Sequence, residues 1–168
     1  MDRLWSPWRT QYIDTFKDEK KSGSCIFCDM QEADINDKNN LLVYKDILTY
    51  VVLNLYPYNS GHLLIVPYRH TDDFLSLTAA ENREVMKNLQ LSVRALEIAM
   101  KPHGYNVGTN VGRIAGAGID QHIHFHIVPR WSGDINFMPV IGEVKVISQD
   151  LLETKSRLID AFKKITLP

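Results

Sequence analysis

Polar and apolar residues alternate strictly in His122-Ile123-His124-Phe125-His126-Ile127-Val128. A period of two belongs to a β-strand with one covered face, so residues 122–128 are expected to be a strand closed by Pro129. The pattern puts three imidazoles on one side and turns Ile123, Phe125 and Ile127 toward a core. Residues 41–44, 48–55, 62–66 and 105–111 also read as strands, with Pro67 stopping the third. The period becomes helical over 79–100, where Val85, Leu89, Val93, Leu96 and Met100 make an apolar stripe. Thr78, three positions before Glu81, is the expected N-cap of a reciprocal capping box, and Pro102 and Gly104 end the helix. Residues 148–166 read as an amphipathic C-terminal helix carrying Leu151, Leu152, Leu158, Ile159 and Phe162. Strands, one long helix, strands again and a last helix predict an α+β domain with an antiparallel sheet.

The 168 residues suffice for one domain with a substantial core. Residues 25–168 are expected to form it, and residues 1–24 an extension. Trp5 and Trp8 are expected to pack that extension on the domain or on a second subunit. A net charge of -1 gives no support for non-specific nucleic-acid binding. No apolar run is long enough for a membrane span, and the first residues lack the apolar core of a signal peptide. The expected location is the cytoplasm. There the C-x-x-C pair Cys25 and Cys28 points to metal or redox chemistry rather than a structural disulfide.

Three readings compete for the histidine row. A single zinc held by all three is opposed by strand geometry, since His122 and His126 would lie about 13 Å apart at their α-carbons. A second reading makes one imidazole a nucleophile oriented by its neighbours. The third is a ladder of exposed histidines without chemistry. The adjacent loop Gly112-Arg113-Ile114-Ala115-Gly116-Ala117-Gly118 can turn backbone N–H groups toward phosphate oxygens, and Arg113 adds charge. Together the loop and the row suggest phosphoryl chemistry.

The pattern His-φ-His-φ-His-φ-φ, with φ apolar, resembles the histidine-triad superfamily of nucleotide hydrolases and transferases. Residues 53–70, with Asn54, the Tyr56-Pro57 turn, Gly61-His62 and the final His70, resemble that family's first-half signature. The segments 3–9 and 129–137 resemble a prokaryotic branch that contains diadenosine tetraphosphate phosphorylases. The resemblance covers nearly the whole chain.

By that resemblance His124 is the nucleophile, forming a nucleotidyl-histidine that phosphate or water resolves. His126 contacts the phosphoryl group, with His122 and His62 in the supporting network. Asn54 matches a ribose-binding position, and Asn110 with Gly116, Ala117, Gly118 and Ile119 matches a phosphate-contacting segment. Trp131, just beyond the triad, is a candidate for stacking on adenine, for closing the subunit contact or for packing alone. Gly118 and Ile119 stand where many relatives carry Gln and Ser or Thr, so backbone N–H groups, Asp120 or Gln121 must replace those side-chain contacts. The resemblance also implies a structural zinc on Cys25, Cys28, His70 and His122, against the simpler reading of two buried thiols. It implies a homodimer whose sheets join. The expected activity is phosphorolysis of diadenosine tetraphosphate to ATP and ADP. Hydrolysis of dinucleoside polyphosphates or nucleoside phosphoramidates is the alternative, and a non-catalytic nucleotide-binding zinc protein is the rival of another class.

Overall fold

The computed structural model describes residues 25–134 and 150–166, so the expected extension at 1–24 lies outside the described residues. Within them, the apolar runs form β1 (Leu42–Lys45), β2 (Thr49–Leu53), β3 (Leu63–Pro67), β4 (Gly104–Gly108) and β5 (Phe125–Arg130). They make one sheet in the order β1-β2-β3-β5-β4, with every neighbouring pair antiparallel. The helices are α1 (Ile26–Met30), α2 (Ala79–Met100) and α3 (Leu151–Thr166). Alpha-1 had no periodic signal, since five residues are too few to show one.

All residues of β2 and β3 are buried because both sheet faces are covered. Val51, Leu53, Leu63, Ile65 and Ile127 meet α2 and α3 on one face. Tyr50, Val52, Leu64 and Val66 meet Cys25 and Phe27 on the other. This is the two-residue period of a strand expressed in packing. The α2 capping box forms as expected, with the Glu81 backbone N–H donating to Thr78 and the Glu81 carboxylate accepting from the Thr78 backbone N–H. Lys101, in the left-handed region at φ 49°, closes the helix one residue before Pro102. Alpha-3 is fastened to β1 by Phe162, whose ring stacks on Tyr44 at 4.8 Å, and to α2 by an Arg157 donation to the Ala99 carbonyl.

The histidine strand is displaced from its expected span. Beta-5 starts at Phe125, so His122 and His124 precede it, and it runs through Pro129 to Arg130. Thr71 and Thr109 take up the backbone there: the Ile123 N–H donates to the Thr71 carbonyl, and the Thr109 hydroxyl donates to the His124 carbonyl. Pairing of β5 with β3 ends at Ile127. Beyond that point β4 is its one partner in the sheet, which leaves room for a residue without an N–H.

Candidate active site and metal centre

The turn into β3 and the chain entering β5 bring His62, His124 and His126 together. Leu64 faces His126 across the β3–β5 ladder, so His62 is its diagonal neighbour on the same face. His62 Nε2 lies 2.9 Å from His126 Nδ1, and the His124 and His126 ring centroids are 4.9 Å apart. Gly108, opposite His126 on β4, brings no side chain to that position.

The donors around this row assign its protons. The Asn54 Oδ1 accepts the Tyr56 N–H, which orients the amide so that its Nδ2 donates to His62 Nδ1. The Tyr58 N–H donates to the same nitrogen. His62 Nδ1 is therefore an acceptor, its proton is on Nε2, and His126 Nδ1 receives it as a hydrogen bond. His126 must then carry its own proton on Nε2, a buried atom with no partner among the described residues. Burial first, and His124 second, push the His126 pKa down to about 4, so the ring is neutral near pH 7.

His124 is set differently. Its Nδ1 lies 2.9 Å from the His122 carbonyl, to which it donates, leaving the lone pair of Nε2 for chemistry. Burial lowers its pKa, partly offset by that hydrogen bond. Phe27 packs against the ring at 5.0 Å.

His122, only 1% exposed, turns away from the row toward the cysteines. Its Nε2 donates to the Pro67 carbonyl at 2.9 Å, which leaves Nδ1 as a ligand. Nδ1 lies 3.4 Å from Cys25 Sγ and 3.7 Å from Cys28 Sγ, and His70 Nδ1 lies 3.2 Å from Cys28 Sγ. All four donor atoms fall within 4.8 Å of one another. Tetrahedral bonds of about 2.3 Å to sulfur and about 2.0 Å to nitrogen place neighbouring ligands roughly 3.5 Å apart, so the set fits one zinc-sized cation. Burial chiefly, and then Cys25, push the Cys28 thiol up to about 11. The Tyr50 hydroxyl, 2.8 Å from the Phe27 carbonyl, pins the segment that carries both thiols.

A cavity of about 520 Å³ opens in front of His124. Asn54, Gly116, Gly118 and Ile119 are among the residues that line it. Ala117 is buried beside it, and the Asn110 amide abuts Gly116, 3.7 Å from where a Cβ would stand. Gly116 has φ +97°, a conformation that favours glycine. Trp131 is placed elsewhere: its N–H donates to Asp134 in the turn after β5, and it is not a wall of this cavity. Asn54 spends its amide on His62 and Tyr56 as well as facing the cavity. Apolar residues of the first half were expected in a base pocket but not assigned; the apolar walls of this cavity include Phe27, Met30, Leu41 and Leu55. Phe27 had a signal, being enclosed in the C-x-x-C pair, and Leu55 lies within the 53–70 signature; Met30 and Leu41 had none.

Residues 36–133 match the HIT domain family. The chain is 41% identical over 161 residues to an AP-4-A phosphorylase of Mycobacterium tuberculosis, covering 94% of this chain and 83% of that protein. It is 42% identical over 89 residues to a bis(5'-adenosyl)-triphosphatase of Saccharomyces cerevisiae, covering 52% of this chain and 43% of the relative. Among solved structures, a Zn-bound histidine triad family protein from Mycobacterium smegmatis superposes with a TM-score of 0.68 at 25% identity, covering 86% of this chain and 96% of that one. With its motif, its antiparallel sheet and this breadth of match, the chain belongs to the HIT domain family.

Proposed function

We propose that the protein cleaves dinucleoside polyphosphates by transfer of a nucleotidyl group through His124, with inorganic phosphate as the acceptor. The observation that carries this reading is the orientation of His124: its Nδ1 is committed to the His122 carbonyl, and the ring borders a cavity large enough for a nucleoside. The relatives named for diadenosine polyphosphate chemistry support the substrate class.

In the first step His124 Nε2 attacks the α-phosphorus of diadenosine tetraphosphate. The N–P bond forms as the bond to the bridging oxygen breaks, and ATP departs. A terminal phosphate whose second pKa is near about 6 leaves readily as an anion, so no strong acid is required. His126, neutral and protonated at Nε2, stabilises the charge developing on the phosphoryl oxygens by hydrogen bonding rather than by surrendering its proton. Asn54 and Tyr58 hold His62 in the tautomer that keeps His126 so oriented. In the second step a phosphate oxygen attacks the same phosphorus, the N–P bond breaks, and ADP is released. Backbone N–H groups from Ala117 to Ile119 are suited to the phosphate chain, and the apolar wall with Phe27 to the base.

Cys25, Cys28, His70 and His122 would hold zinc, which would tie α1 to the segment carrying the triad. Its contribution is structural, because all four tetrahedral positions are taken by protein ligands. A second copy of the chain would cover the open edge of β4, where Asn106, Val107 and Gly108 are exposed.

The activity reading is tested by product analysis. With phosphate, diadenosine tetraphosphate should yield ATP and ADP, and His124→Ala should remove both the turnover and a trappable adenylyl group. Unchanged release of AMP and ATP with or without phosphate would sink the phosphorylase reading in favour of hydrolysis.

A further inference from the structure

The polar loop over residues 34–40 is a chain of side-chain turns that ends on one lysine. Asp34 Oδ1 accepts from the Asn36 N–H, and Asp37 Oδ1 from the Asn39 N–H. Asn40 donates back to the Asp34 carbonyl and accepts the Leu42 N–H at the start of β1. Lys155 of α3 closes this loop from behind. Its Nζ donates to the Asp37 carbonyl at 2.7 Å, and to the Asn40 carbonyl and Oδ1, each at 3.0 Å.

Lys155 is 5% exposed, and all three acceptors are uncharged. A buried ammonium is costly, and an apolar residue of similar length would fill the space without that cost. What the lysine provides is a fixed position for Asp37 and Asn40. The opposite side of this loop faces the cavity: Asn39, Asn40 and Leu41 line it together with His124. Alpha-3 lies outside the span 36–133 that matches the family, so the lysine reaches the cavity rim from a segment beyond the shared domain.

We propose that Lys155 is a positioning residue for nucleoside recognition, holding the 37–40 rim of the cavity in the shape that accepts substrate. The inference rests on the cavity being the nucleotide site. It acts through Asn40 and leaves the phosphoryl transfer at His124 untouched. If release of the rim leaves it competent one-tenth of the time, affinity falls about ten-fold.

The test compares wild type, Lys155→Met and Lys155→Gln below their unfolding midpoints. Hydrogen exchange is measured on the nucleotide-free protein, AMP binding by calorimetry, and turnover of diadenosine tetraphosphate with saturating phosphate. Lys155→Met should speed exchange at residues 37–41 while leaving β3 protected. It should weaken AMP binding and raise KM about ten-fold, with kcat within about two-fold. Lys155→Gln, which keeps a donor, should fall between. Should Lys155→Met fail to fold, an intermediate rise in KM for Lys155→Gln at constant kcat supports the proposal, and a wild-type KM overturns it. Unchanged exchange at 37–41, or a loss in kcat alone, also overturns it. If wild type binds no AMP, the nucleotide-site reading fails first and takes the proposal with it. If wild type binds AMP and both variants bind it equally well, only the role of Lys155 fails.

Discussion

Folding withholds His126 from protonation. Burial, and after it the nearby His124, lower its pKa from 6.5 to about 4. Between those values the unfolded chain binds more protons than the native one, so stability rises with pH through this window. It is lost as pH falls from 6.5 toward 4. The unfolding midpoint, followed by circular dichroism, should therefore drop across that range in wild type. His126→Asn should flatten the slope, and an unchanged slope would remove His126 as its cause. The same residue illustrates the limit of motif reading. Three histidines at alternate positions look equivalent in sequence, yet one neighbour sets each apart: the Pro67 carbonyl for His122, the His122 carbonyl for His124, and His62 for His126.

At the scale of elements, α1 and the segment before β5 meet at the Cys/His cluster between them. Four side chains from three stretches of chain converge there, joined by the Tyr50 hydroxyl beneath and by Phe27 against the His122 and His124 rings. A metal bound there would stabilise the folded state by mass action. Elemental analysis of purified protein should find zinc, and chelation should lower the unfolding midpoint. In Cys28→Ser that response to chelator should disappear. Chelation that abolished turnover at once, with the midpoint unmoved, would point instead to a catalytic metal. The strands were legible because alternation records which side is covered. Their ends were less so: β5 begins after His124 because Thr71 and Thr109 engage the backbone before β3 does, and no local pattern announces those partners.

For the whole molecule, the sheet is closed at neither edge among the described residues, and the β4 side carries exposed Val107 and, just beyond it, Val111 and Ile114. A second copy pairing there would bury them. Light scattering should give twice the chain mass of 19.3 kDa, and Val107→Lys should shift the population toward monomer. A wild-type monomer at working concentrations would overturn the dimer. No helix among the described residues is long and apolar enough to cross a membrane. The sequence by itself determined the sheet, the long helix with its cap, the triad and the C-x-x-C pair, because each is written in local spacing or in a compact motif. Tertiary structure decided the rest: which nitrogen of each histidine is free, how Cys25, Cys28, His70 and His122 meet, which walls enclose the cavity, and that Lys155 braces its rim. Those contacts join residues up to 118 positions apart, and their energies depend on burial and direction, which spacing along a chain does not encode.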